Sequence, residues 1–168
     1  MSITITGKQR NAAPGRGGNI MPTATQVMQK VEEIGTMAGY QLSRHPNIPE
    51  MIVIAYDMGN GRTQTVYVHP CGKTPEDQDL ICFMSPCQTV KKGLLKGMSK
   101  DQATDLLRRN GQLVVGSFAI ADFGGTDILV VRSTQIVDTM EVEEFRFHAN
   151  FVAIIADRYE QEHGEDVF

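Results

Sequence analysis

Residues 51–69 read MIVIAYDMGNGRTQTVYVH. This stretch decides the fold, because it holds two strands and the turn between them. Residues 51–56 are a short apolar run with β-branched Ile and Val, the mark of a buried strand. Asn60-Gly61 follows, and both residues tolerate the positive φ of a two-residue hairpin turn. Residues 62–69 then alternate. Gln64, Val66 and Val68 fall on one side, and Thr63, Thr65 and Tyr67 on the other.

Toward the C-terminus, Pro70-Cys71-Gly72-Lys73 is expected to break the second strand, and Glu76-Asp77-Gln78-Asp79 reads as solvated loop. Residues 80–84 make a third strand with scope to resume past Pro86. The three strands predict an antiparallel meander. Lys91, Lys92, Lys96 and Lys100 mark a basic connector. Ser99 then caps a short helix, with Gln102 three residues on in capping-box spacing. Ala103, Leu106 and Leu107 give that helix one apolar face, and Asn110-Gly111 is expected to stop it with a left-handed residue. Residues 113–121 form a fourth strand, 122–127 a turn and 128–132 a fifth strand, with 133–138 extending it or leading out.

The last helix spans about 141–162. Its early acids Glu141, Glu143 and Glu144 suit the positive end of a helix. One apolar stripe runs through Val142, Phe145, Ala149, Val152, Ala156 and Tyr159. A second runs through Phe147, Phe151, Ile154 and Ile155, leaving Arg146, Asn150 and Asp157 as a narrow polar sector. A helix lying on one sheet face needs only one such stripe. The second therefore calls for a cover, either the first helix or a neighbouring subunit.

Toward the N-terminus, Thr23 and Gln26 again have capping-box spacing, and Val27, Val31, Ile34 and Ala38 follow on one helical face. Gly35 and Gly39 weaken the later turns, and they either let another backbone approach closely or mark fraying. Pro46 and Pro49 read as a linker. Residues 1–21, with Pro14, Gly15, Gly17 and Gly18, read as a flexible tail whose apolar patch, Ile3 and Ile5, could add a strand to a sheet edge. The predicted order is helix, three strands, helix, two strands, helix. It describes a single α+β domain over 22–168 with a five-stranded antiparallel sheet and packed helices.

Bulk properties narrow the function classes. The 168 residues are 41% hydrophobic and 21% charged, ordinary for a globular chain. The net charge of −4 argues against a nucleic-acid partner, whose phosphates are held mainly by Lys and Arg. No apolar run approaches the ~20 residues of a membrane span, and residues 1–22 lack the apolar core of a secretory signal. Cys71, Cys82 and Cys87 form an odd set without disulfide spacing, so a reduced, cytoplasmic protein is expected.

No motif carries a reaction. His69 with Cys71, Cys82 and Cys87 could be grouped as zinc ligands, but their spacing matches no paired knuckle and Cys82 sits mid-strand. No sequence signal ties a cysteine to His45, His69, His148 or His163 as a nucleophile and base. Residues 57–61 and 122–127 lack the ligand ladder of a calcium loop, and residues 15–18 lack the strand and Lys-Ser/Thr of a phosphate loop. No cofactor, metal or catalytic residue is therefore expected. A metal- or small-ligand-binding domain around His69 and the cysteines stands as the alternative reading.

The element order resembles the type III secretion chaperone-like fold, the group of the Tir chaperone CesT and its YbjN relatives. Residues 62–69 (RTQTVYVH) look like that group's second strand and residues 105–110 (DLLRRN) like its middle helix. Residues 116–119 (GSFA) and 128–131 (ILVV) look like the strand pair that follows, and residues 152–160 (VAIIADRYE) like its closing helix. The resemblance covers about residues 23–163. It implies an acidic, non-enzymatic, homodimeric protein that holds an extended segment of a partner protein on apolar grooves and strand edges. Phe147, Phe151 and Ile155 on the second stripe are the residues expected at the partner or dimer interface.

Overall fold

The hairpin turn forms as its sequence requires. Asn60 and Gly61 take φ of 55° and 77°, and Gly59 pairs with Arg62 across the turn. The computed structural model describes residues 24–90 and 97–163. Its elements are α1 (Ala24–Met37), β1 (Leu42–His45), β2 (Ile48–Gly59), β3 (Arg62–Lys73), β4 (Asp79–Thr89), α2 (Lys100–Asn110), β5 (Ser117–Phe123), β6 (Thr126–Ile136) and α3 (Val142–His163). The strands form one antiparallel sheet in the order β1-β2-β3-β4-β6-β5.

The sheet has six strands, one more than expected. The added strand is β1, just before Pro46, and the start of β2 occupies the stretch from Pro46 on that reads as a linker; Pro46 lies in the connection between them. Two strands also run through prolines expected to stop them. At Pro70 the ladder from β3 to β2 has already ended with the pair Ile52–Val68, and the β3–β4 register shifts just beyond it. At Pro86 the ladder from β4 to β3 has ended with Tyr67–Met84, and the β4–β6 register again shifts. Each proline therefore sits beside a bulge on a stretch paired on one side, where a missing N–H breaks no second ladder.

All three helices cover one sheet face. α3 lies across β3, β4 and β6, and α1 lies beside it against β2 and β3. Gly35 makes the α1–α3 approach close: a Cβ there would stand 2.7 Å from Phe145 Cζ and 2.9 Å from Leu42 Cδ1. The close neighbours at Gly35 are side chains, and not the second backbone that its sequence position suggested. α2 sits at the β5 end and is tied to α3 by Gln102 Nε2 donating to Tyr159 Oη at 2.8 Å and Arg109 Nη1 to Glu162 Oε2 at 2.6 Å.

Ser99 caps α2, its side chain accepting from the Gln102 amide at 3.1 Å. Gly111, however, closes the helix at φ −68°, a right-handed conformation, and Leu107 points out at 71% exposure instead of joining an apolar face. β5 starts at Ser117, four residues later than expected. Thr23, the tail 1–21 and Lys91 to Lys96 lie outside the described residues.

The core between helices and sheet is built from the first stripe of α3 (Phe145, Ala149, Val152, Ala156, Tyr159) against Val66, Val68, Phe83, Leu129 and Val131. A polar chain crosses it. Gln64 Nε2 donates to the buried Glu160 carboxylate, and Ser85 Oγ donates to Gln64 Oε1 at 2.8 Å. Beside it the Arg62 guanidinium grips Asp157 through Nε at 2.9 Å and Nη2, closing the hairpin end of β3 onto α3.

Candidate functional site

Strict alternation along each strand sends a second set of side chains to the face that carries no helix. From β3 these are Thr65, Tyr67 and His69, opposite in pleat to Gln64, Val66 and Val68. Cross-strand register aligns Tyr67 with Met84 and Met84 with Arg132, and aligns His69 with Cys82 and Cys82 with Thr134. β5 adds Ala119, Ala121 and Phe123, which with Tyr67 and Cys71 pack around a small apolar cluster of Cys82, Met84, Ile128 and Val130.

This face is curled. β3 and β5 are three positions apart in the sheet, ~14 Å if it were flat. Yet the Tyr67 and Phe123 rings are 6.0 Å apart, and His45 from the opposite edge strand comes to 6.3 Å from the same Tyr67 ring. Right-handed sheet twist with bulges at Pro70 and Pro86 brings both edges over the middle. The result is a groove of about 710 Å³ with an apolar floor of Cys82, Met84 and Val130. Met84 and Val130 are buried although no helix covers them. Arg132 supplies its cation, and Asp122 stands at one end.

Burial pushes the Cys71 and Cys82 thiols up from the usual thiol range, with Arg132 offsetting part of the rise. Burial does the same to Cys87, reinforced by the Glu160 charge. Burial thus favours the thiol over the thiolate at all three positions. The structure also corrects the grouping of His69 with all three cysteines. Cys71 and Cys82 line the groove, but the register shift at Pro86 turns Cys87 to the helix side. Among the described residues no three His, Cys, Asp or Glu side chains are placed to hold a metal ion. His69 Nδ1 is 2.9 Å from the Pro70 carbonyl oxygen.

The two stripes of α3 separate as the helical period demands. Phe145, Ala149, Val152, Ala156 and Tyr159 are buried. Phe147 and Ile154 are 51% and 45% exposed, while Phe151 and Ile155 are half-buried at the margin of the core. The first helix does not cover this second stripe: α1 meets α3 at Phe145, through Gly35. Asn150 and Asp157 of the narrow polar sector are structural, Asn150 accepting from Tyr40 Oη at 2.8 Å and Asp157 from Arg62.

Sequence reasoning missed the groove as a unit. The period-2 pattern of β3 was legible, but which face the helices cover, and how far the sheet curls, depend on non-local packing. It also missed Glu160, although its spacing four residues after Ala156 continues the buried stripe.

His148 gives the core a titration. It is buried, its ring stacks on Phe83 at 5.6 Å, and its Nδ1 is 2.6 Å from Ser133 Oγ. Burial lowers its pKa, with Glu144 pulling weakly the other way. The unfolded chain then binds the proton more readily. This contribution is complete above the ordinary histidine value of about 6.5 and is lost as pH falls through the lower folded value. Thermal midpoints should decline across that window, and His148→Asn should flatten the decline. Equal slopes in both proteins would contradict the assignment.

No described helix is long and apolar enough to cross a membrane. No protein-family model matches the chain, and no curated protein matches it in sequence. Among solved structures, the fold is similar to the Yersinia pestis type III secretion chaperone SycH, crystallised in complex with a stable fragment of YscM2. That likeness has 12% identity and a TM-score of 0.48, covering 79% of this chain and 98% of that one. It is also similar to YbjN from E. coli, at 12% identity and a TM-score of 0.49, covering 86% and 95%. Both likenesses concern the path of the chain.

Proposed function

We propose that this protein is a non-enzymatic, homodimeric adaptor that holds an extended segment of a partner protein on the helix-free face of its sheet. The observation that carries this reading is the groove of about 710 Å³, apolar at its floor and flanked by the two edge strands β1 and β5. An edge strand offers unpaired backbone N–H and C=O groups, and a neighbouring apolar groove offers pockets for alternate side chains of an added strand. Three free cysteines fit a reducing compartment such as the cytoplasm.

The second stripe of α3 serves the dimer in this reading. Phe147, Phe151 and Ile155 form an apolar strip that no described element covers fully, and large exposed apolar residues gain from burial against a second copy. Two substitutions separate the surfaces. Tyr67→Asp should abolish capture of the partner from lysate of the native host and leave the dimer. Phe147→Asp should convert the dimer to monomer by analytical ultracentrifugation, with the far-UV circular dichroism of the folded chain retained and the thermal midpoint no longer dependent on concentration. Partner capture that survives Tyr67→Asp would contradict the groove assignment, and a monomeric parent chain would contradict the dimer.

A further inference from the structure

The groove on the helix-free face carries a guanidinium to which the fold assigns no counter-ion. Arg132 lines the groove, is exposed, and pairs with no carboxylate among the described residues. Its charge is felt across the floor. After burial, it is the largest influence on the thiols of Cys71 in β3 and Cys82 in β4. Asp122 is the one carboxylate among the described lining residues, and it is occupied in the β5–β6 turn, accepting from the Gly125 amide at 2.6 Å.

A segment laid over this floor takes water away from the Arg132 guanidinium. A charge stripped of water and left unpaired is strongly unfavourable. A carboxylate supplies the match, because the guanidinium offers parallel N–H donors to its two oxygens. A lysine at the same place is rejected by like charge.

The spacing of the floor adds an apolar requirement. Val130 and Arg132 are alternate residues of β6, so they stand on one face, ~6.7 Å apart along the strand. Met84 serves both: it is the cross-strand partner of Arg132, and it packs with Val130 in the same apolar cluster. An extended segment repeats its side chains at the same interval. A segment that runs with the strands and sets an acid on Arg132 therefore sets the side chain two residues away over Val130 and Met84, where an apolar group belongs.

We propose that the groove selects an extended segment in which an Asp or Glu pairs with Arg132 and an apolar residue two positions away covers Val130 and Met84. The inference rests on the reading of this groove as the site of a partner's segment, and it adds the chemistry of that segment.

Selection from a random peptide display library on the full chain tests it. The counter-screen is the Ala121→Trp protein, in which a bulky neutral side chain fills the groove. Peptides that bind the parent and not Ala121→Trp should share an acid and an apolar residue two positions apart. Replacing that acid by its amide in the synthetic peptide should weaken binding about ten- to hundredfold. Arg132→Glu should lose the acidic peptides and bind versions with lysine in place of the acid, a recovery that a misfolded variant cannot give. Groove-dependent peptides that lack the acid, or that bind Arg132→Glu as well as the parent, overturn this inference and leave the groove reading standing. A selection that yields no groove-dependent peptide contradicts the groove reading itself, and this inference falls with it.

Discussion

Replacing Gly116 by alanine should lower stability by about 2–5 kcal/mol, read as a fall in the urea midpoint at constant slope. Gly116 enters β5 with φ of 73°, in the left-handed region where a side chain is strained. A Cβ there would also stand 2.5 Å from the Arg132 carbonyl oxygen and 2.9 Å from Phe151 Cε1. The first contact is with backbone held in the β5–β6 ladder, where Ser117 pairs with Arg132, so it cannot rotate away. Phe151 can move, but only out of its seat at the margin of the core. The effect should therefore reach beyond stability: β5 should loosen, and amide exchange there should accelerate more than in β2 or β3. A midpoint equal to the parent's would show that β5 is entered differently.

Truncating Phe145 to alanine should cost about 3–5 kcal/mol. The ring is fully buried where three elements meet. It packs edge-on against Phe83 of β4 at 5.1 Å, against Tyr40 at 5.7 Å, and over Gly35 of α1. The site resists collapse because Gly35 offers no side chain to fill the space. For the same reason Gly35→Ala in the parent should be destabilising, and in the Phe145→Ala protein it should be nearly neutral or should recover stability. That double-mutant cycle is the sharper measurement, since additive losses would mean the two residues do not share the space.

Much of the architecture is legible in the chain because its punctuation is local. Asn60-Gly61, Ser99 and the acids opening α3 act through their own backbone or immediate neighbours, and each stands where the pattern places it. What escaped is what depends on partners distant in sequence. β1 is four residues on a single ladder, too short to show a period, and its neighbouring prolines read more strongly as linker than its own residues read as strand. Pro70 and Pro86 look like strand breakers until one knows that one of the flanking ladders has already ended at each.

The binding groove escaped for the same reason. Tyr67, Met84, Val130 and Phe123 come from four strands, and only register and curl assemble them. The apolar excess of α3 was visible as two stripes. That one would be buried and the other left half open followed only from where α1 packs.

The most direct test of the central claim is hydrogen–deuterium exchange of the protein alone and with its captured partner. The account predicts slowed exchange in the edge strands β1 and β5 and in the strands lining the groove, with little change in α1. Protection confined to the helices, with both sheet edges exchanging as in the free protein, would contradict it.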